Sequence, residues 1–131
     1  MQNNLISGND QGVVVSFSST GNFFENNIIG LQPDGVTPLP NSGNGIGFTS
    51  GSSFNTITEN LISNNTFSGI TISALGGTNS DSITVQGNFI GTDITGTLDR
   101  GNVLGKGIST STDFNQIGGT GAGEGNLISG N

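Results

Sequence analysis

Acidic side chains are the residues of this chain best suited to chemistry, and one stretch combines two of them with the only two cations. Asp93, Asp99, Arg100 and Lys106 fall within fourteen residues. Cleavage of a polysaccharide by general acid and base needs two titratable groups held together in a cleft. The chain has no histidine to assist them. We therefore predict that this set is a solvated loop and that the protein is not an enzyme.

Metal binding is the second chemistry that the acidic residues suggest. The stretch 76–84 (Gly-Gly-Thr-Asn-Ser-Asp-Ser-Ile-Thr) resembles one nonapeptide of the calcium-binding β-roll, with Asp81 as its carboxylate. Asp34 and Asp93 lie on two similar stretches, and hard oxygen ligands of this kind suit calcium. Calcium is thus the one candidate cofactor, bound at Asp81 or by Asp34 with Asp93. Turn formation is the alternative role of all three residues.

A repeated phrase, Asn-[Leu/Ile/Phe]-Ile-[Ser/Gly], defines the elements that must position these residues. It begins at Asn4, Asn27, Asn60, Asn88 and Asn126. Two further apolar patches recur between successive copies, and each alternates with period two as a half-buried strand does. Three short strands per repeat predict an all-β fold, a three-sided parallel β-helix (β-solenoid) of about four to five coils. We expect it to form a single domain over 1–131.

Stacking equivalent strands about 4.8 Å apart turns each position of the repeat into a column. The five asparagines above are predicted to form a structural ladder at one corner, where amide side chains hydrogen-bond neighbouring backbone. The predicted core stack is Ile6, Ile29, Ile62, Ile90 and Ile128. The residues that precede these isoleucines must then point outward. They form an apolar stripe, which a loop covers or a partner contacts, and which consists of Leu5, Ile28, Leu61, Phe89 and Leu127.

Two longer excursions, 32–44 and 92–106, follow the first strand of the second and fourth coils. Their sequences align with each other, so the unit of duplication is a pair of coils. Both excursions should protrude from one edge of the stack, a usual place for binding in repeat proteins. The chain has no Trp or Tyr, the residues on which sugar rings usually stack. Core filling is expected to explain most of its eight phenylalanines, including Phe24, Phe48, Phe54 and Phe114.

A family resemblance is carried by glycine- and asparagine-rich stretches at 87–97 (Gly-Asn-Phe-Ile-Gly-Thr-Asp-Ile-Thr-Gly-Thr), 101–102, 115–120 and 125–131. They resemble repeats of large bacterial surface and secreted proteins. The chain is similar to the right-handed parallel β-helix, or pectate-lyase-like, superfamily, closely over 87–131 and more loosely over 26–86. The resemblance implies a right-handed coil and a stalk or passenger segment of a longer extracellular protein.

Composition narrows the choice of partners. The formal net charge is −7 with two cations, which argues against nucleic acid and anionic membrane surfaces. No apolar run approaches the roughly 20 residues of a membrane span. The absence of cysteine excludes disulfides, and acidic, cysteine-free repeats favour an extracellular or cell-surface location. If the protein is secreted, its signal lies outside this sequence.

The sequence therefore predicts a non-catalytic structural or adhesive segment of an extracellular bacterial surface protein or fibre. Its expected partners are neighbouring coils of the parent protein, or a second copy docked end to end. End-to-end docking is suggested by 4–9 and 126–131, which both read Asn-Leu-Ile-Ser-Gly-Asn. The alternative is a carbohydrate- or calcium-binding module that uses the excursions 32–44 and 92–106, with a polysaccharide as its partner.

Overall fold

The computed structural model describes all residues, 1–131, as thirteen short β-strands and no helix. The first coil contains β1 (Leu5–Ile6), β2 (Val13–Val15) and β3 (Phe23–Glu25). The second coil contains β4 (Ile28–Ile29), β5 (Ile46–Phe48) and β6 (Thr56–Thr58). The third contains β7 (Leu61–Ile62), β8 (Ile70–Ile72) and β9 (Thr84–Gln86). The fourth contains β10 (Phe89–Ile90), β11 (Ile108–Thr110) and β12 (Gln116–Ile117), and β13 (Leu127–Ile128) opens a fifth.

Each complete coil contributes one strand to each of three parallel sheets. Sheet 1 has the order β1-β4-β7-β10-β13, sheet 2 the order β2-β5-β8-β11 and sheet 3 the order β3-β6-β9-β12. Every strand pair is parallel. This arrangement confirms the predicted three-sided parallel β-helix. With no helix present, no element is long and apolar enough to cross a membrane as a helix.

The core is a set of columns in which like residues meet. Sheet 1 pairs Ile6 with Ile29, Ile29 with Ile62, Ile62 with Ile90 and Ile90 with Ile128. The three central isoleucines are fully buried, whereas Ile128 is 45% exposed. The predicted core stack is thus present. Twelve buried residues from all three sheets form one apolar cluster, within which Phe24 and Phe48 meet edge to face with their ring centroids 5.9 Å apart.

Core filling explains Phe24 and Phe48, as predicted, but the prediction was wrong for Phe54 and Phe114. Phe24 and Phe48 are buried, but Phe54 is 68% and Phe114 is 86% exposed. The physical reason is their place in the chain: both lie in turns before strands of sheet 3, at a backbone φ of 57°. The alternation that directs side chains into the tube operates only within strands.

Candidate functional site

The asparagines of the repeated phrase form the predicted ladder. The Oδ1 atom of Asn60 accepts hydrogen bonds from the backbone N–H and the Nδ2 of Asn27, at 3.0 and 2.9 Å. Asn60 makes the same two bonds to Asn88, and Asn88 makes them to Asn126. Asn4 begins the series by donating to Asn27. Because Asn27, Asn60 and Asn88 are at most 1% exposed, the ladder satisfies buried polar groups that have no access to water.

A second ladder, which the sequence analysis missed, lies at the next corner. It runs through Asn9, Asn41, Asn65, Asn102 and Asn131, and each member donates to the Oδ1 of the next. In coils without an excursion, its asparagine follows the first-ladder asparagine by five residues, as Asn9 follows Asn4. In coils with an excursion the interval is fourteen residues, as from Asn27 to Asn41. A comparison of the repeats that allowed one insertion of constant length would have revealed the second ladder in the sequence.

A third, interrupted ladder lies before the strands of sheet 3. The backbone N–H and Nδ2 of Asn22 donate to Asn55, and the backbone N–H of Ile83 donates to Asn115. In the third coil the asparagine position is thus held by Ile83, which is fully buried and joins the core. All three corners of the tube therefore use amide side chains to hold successive coils together.

The two excursions contain matching hairpin-shaped loops over 30–41 and 91–102, called hairpins below, and each is closed by one isolated antiparallel bridge. Leu31 bridges Pro38 in the first hairpin, and Thr92 bridges Asp99 at the equivalent positions of the second. Both hairpins begin at a glycine with positive φ, 95° at Gly30 and 89° at Gly91. A Cβ at Gly30 would overlap the carbonyl oxygen of Ser63 in the next coil. The last residue of the repeated phrase therefore distinguishes the coils: it is glycine where a hairpin follows and serine where none does.

The hairpins pack on each other, although a coil without a hairpin separates their attachment points. The backbone N–H of Ile94 donates to the carbonyl of Gly35 at 3.0 Å. The Nε of Arg100 donates to the carbonyl of Val36 at 2.6 Å. These contacts couple the second coil to the fourth and form a layer outside sheet 1.

The candidate calcium ligands of the hairpins are engaged by their own loops. The hydroxyl and backbone N–H of Thr37, together with the N–H of Val36, donate to Asp34 and lower the pKa of its carboxyl. The backbone N–H of Leu98 is the largest cause that lowers the pKa of Asp93 to about 2. Asp93 also accepts from Thr95 and Thr97, and its side chain is buried. Hydrogen bonds to a carboxylate favour its charged form, which explains both shifts.

Of the remaining charged candidates, Asp99 and Arg100 line one open groove, whereas Asp81 lies on a different turn. Asp81 accepts a hydrogen bond from the backbone N–H of Asp113 at 2.9 Å, and Asp99 accepts one from that of Gly101. Arg100 donates to two backbone carbonyls. No three acidic side chains come together in a group that could hold a metal ion. Calcium binding at Asp81, or at Asp34 with Asp93, therefore stays a prediction.

The apolar stripe is partly covered. Leu61 at its centre is buried, Ile28 and Phe89 are half-buried, and Leu5 and Leu127 are exposed. The second hairpin lies over it, since a Cβ at Gly96 would come within 2.7 Å of Leu127 and 3.5 Å of Phe89. Between the hairpin and the stripe remains a groove of about 350 Å³. It is lined by the apolar side chains of Ile28, Leu61, Phe89 and Ile94, with Glu59 beside them.

Comparisons with known proteins return no relative: no family model, curated protein or solved structure matches the chain.

Proposed function

We propose that this chain is a non-catalytic structural segment of an extracellular bacterial surface protein or fibre, built on the parallel β-helix plan. The observation that carries the proposal is the use of polar side chains. Two asparagine ladders pass through every coil, so the amides that a binding site would offer to a ligand are engaged in holding coils together. Such a stack can be lengthened by adding further coils without any change in its interior.

The hairpins support the same proposal. Their carboxylates are engaged in their own turns, and their mutual contacts stiffen the stack across the intervening coil. Asp93 and Asp99 accept hydrogen bonds from backbone N–H groups of their own loop, and Arg100 donates to backbone carbonyls. The acidic surface, with a net charge of −7, suits a protein that must stay soluble outside a cell. Membership of the bacterial β-helix family rests on the sequence resemblance.

Single-molecule extension of the 131-residue chain, held at its two ends, tests the structural role. A segment that transmits load should resist force and unfold in one or a few cooperative steps with a total extension of about 45 nm, the contour length of 131 residues. Asn79→Ala, on an exposed loop, is the matched control for Asn60→Ala, which should lower the unfolding force. A chain that extends smoothly, without a force peak, would contradict the proposal.

The second candidate function is ligand binding on the hairpin side, with calcium or a carbohydrate as the ligand. The observation that favours a carbohydrate is the groove between the stripe and the second hairpin, whereas the calcium candidates Asp34 and Asp93 lie outside the lining of that groove. Calcium titration followed by calorimetry tests the calcium form of this candidate: a calcium-binding module should release or absorb heat and lose that signal in Asp34→Ala or Asp93→Ala. The structural segment should give no heat of binding. Sedimentation velocity over a concentration series tests whether copies also associate end to end.

A further inference from the structure

The contact between the two hairpins runs in one direction. The second hairpin supplies both donors, the backbone N–H of Ile94 and the Nε of Arg100. The first hairpin supplies both acceptors, the carbonyls of Gly35 and Val36. The bridges that close the two loops align them residue by residue, so each of these contact residues has an equivalent on the other hairpin.

The first hairpin has no donors of this kind. Its equivalents of Ile94 and Arg100 are Pro33 and Leu39. Proline has no backbone N–H, and the leucine side chain has no hydrogen-bonding group. Proline on an exposed edge is one of the means by which sheets block further pairing. The first hairpin therefore accepts from a neighbour on one side and offers no donor on the other.

The second hairpin repeats the acceptor side of the first. Gly96 and Thr97 are the equivalents of Gly35 and Val36. The two glycines make the same left-handed turn, with φ values of 67° at Gly35 and 75° at Gly96. Neither the carbonyl of Gly96 nor that of Thr97 accepts a hydrogen bond. The second hairpin thus presents two free acceptors in the arrangement that already binds a hairpin elsewhere in the molecule.

A pocket of about 230 Å³ lies beside these acceptors, and its lining includes Thr97 and Asp99. The equivalent of Asp99 on the first hairpin is Pro38, which lines the open groove together with Arg100. Where the first hairpin has a proline near an arginine, the second hairpin therefore has a carboxylate. The Oδ1 of Asp99 accepts from the backbone N–H of Gly101. Its Oδ2 makes no hydrogen bond and is available to a donor.

The apolar stripe differs in burial on the two sides of the second hairpin. Leu61, in the coil between the two hairpins, is 6% exposed, whereas Leu127, one coil beyond the second hairpin, is 37% exposed. A further hairpin two coils beyond the second would enclose Leu127 as the two existing hairpins enclose Leu61. Burial of an exposed apolar side chain would favour that contact.

We propose that the acceptor side of the second hairpin binds the arginine of a third hairpin, carried two coils further on by coils of the same repeat. The arginine enters the pocket, donates to the carbonyl of Thr97 and pairs with the carboxylate of Asp99. A backbone N–H of the same hairpin donates to the carbonyl of Gly96. Arginine suits the pocket because its guanidinium is always charged and presents several donors in one plane. The inference rests on the proposed structural role, since it names the partner that lengthens the stack.

Two other occupants fit the pocket less well. A second copy of the chain has its Arg100 engaged at the carbonyl of Val36, and its first hairpin has no donor to offer. An apolar segment would leave the free carbonyls and the carboxylate of Asp99 without hydrogen bonds, which is unfavourable. Continuity with the contact that already joins the two hairpins therefore points to a hairpin that carries an arginine.

An extended chain, in which a second copy of 66–131 follows Asn131, tests the proposal. Asn131 lies five residues after its first-ladder asparagine, as Asn65 does, so the added block continues both ladders and carries a third hairpin. Arg100 is the only arginine of the 131-residue chain. We expect the extended chain to show two arginine Nε–H signals protected from exchange in NMR, where the 131-residue chain shows one.

A double-mutant cycle in the extended chain then measures the pairing. Its variants are Asp99→Asn in the second hairpin, which keeps the acceptor for Gly101, and arginine to leucine in the third hairpin, the change that Leu39 represents in the first. Each change alone should lower the thermal midpoint by about 2–4 °C, and the second should add little to the first. Asp99→Asn in the 131-residue chain is the matched control and should shift the midpoint by less than about 1 °C.

Pro38→Asp in the 131-residue chain keeps the test decisive if the extended chain does not fold. It gives the first hairpin the carboxylate that Asp99 provides on the second, beside an arginine that is already bound. Pro38→Asn is the uncharged control of the same shape. Pro38→Asp should unfold about 1–4 °C above Pro38→Asn. The difference should disappear when Arg100→Leu is added to both variants and should shrink at about 1 M salt.

Four results would overturn the proposal. They are a single protected Nε–H signal in the extended chain, additive effects of the two changes in the cycle, equal stability of Pro38→Asp and Pro38→Asn, and a dimer of the 131-residue chain that Asp99→Asn abolishes. None of them bears on the force measurement or on the asparagine ladders, so the proposed structural role is tested separately.

Discussion

Asn60→Ala is the substitution that tests the ladder most directly, because Asn60 lies at the centre of the first ladder and is 1% exposed. Its Nδ2 donates to the carbonyls of Phe24 and Thr58 and to Asn88, at 3.0, 2.9 and 3.0 Å. Its Oδ1 accepts from the backbone N–H and the side chain of Asn27. Alanine removes all five hydrogen bonds at once.

The expected loss of stability depends on which hydrogen bonds the partners of Asn60 keep after the substitution. The backbone N–H of Asn27 has no other acceptor in this buried position, and an orphaned buried donor costs about 1–3 kcal/mol. The Oδ1 of Asn88 keeps the backbone N–H of residue 60 as a donor, so its loss is smaller. With the net value of a hydrogen bond near the lower limit of about 0.5 kcal/mol for the other four, the total is about 4 kcal/mol. A loss of that size is a large part of the stability of a domain, which is typically about 5–15 kcal/mol.

Urea denaturation followed by far-ultraviolet circular dichroism measures the loss. We expect the unfolding midpoint of Asn60→Ala to fall strongly while the dependence of the unfolding free energy on urea stays unchanged. Asn79→Ala is the matched control, because Asn79 is exposed and its replacement should change stability by less than about 0.5 kcal/mol. A loss below about 1 kcal/mol in Asn60→Ala, or equal losses in the two variants, would refute the view that the ladder stabilises the stack.

Three more predictions concern the core, the hairpins and acid stability. Ile62→Ala should cost about 3–4 kcal/mol in urea unfolding because Ile62 is fully buried, whereas Ile128→Ala in the same stack, 45% exposed, should cost about half as much or less; equal costs would contradict the burial argument. Gly30→Ala should destabilise more than either, since its φ of 95° is strained for alanine and the new Cβ would overlap the Ser63 carbonyl oxygen; a thermal midpoint equal to that of the wild type would contradict this steric argument. Asp93 has a folded-state pKa of about 2 against an ordinary value of 3.8, so its contribution to stability is present above pH 3.8 and is lost as the pH falls toward 2. The stability difference between wild type and Asp93→Asn, measured by thermal unfolding at a series of pH values, should shrink across that interval, and a constant difference would refute the hydrogen-bond explanation.

The architecture and the core could be predicted from the sequence because they depend on a short-range pattern repeated at intervals. Apolar alternation within two or three residues defines each strand, as in Ile70-Thr71-Ile72. Recurrence of the same phrase then sets the register, because a parallel stack is stable only when apolar residues meet apolar residues and asparagines meet asparagines. The pairing of Ile62 with Ile29 and Ile90 follows from that condition.

The sequence was less informative where a residue's surroundings depend on chain segments far away. The second ladder escaped notice because a hairpin of constant length separates Asn27 from Asn41, and Phe54 was assigned to the core although it lies in a turn. The pairing of Arg100 with the Val36 carbonyl joins residues 64 apart.

What the sequence by itself determined is the β-helix, its coil boundaries, the first asparagine ladder and the isoleucine stack. Each of these follows from identical residues that recur with the coil. The tertiary structure decided how the two hairpins pack together, how far they cover the apolar stripe and which phenylalanines remain in solvent. The physical reason is that these features depend on the rise between coils and on the direction in which each turn leaves the tube, and no local pattern encodes either.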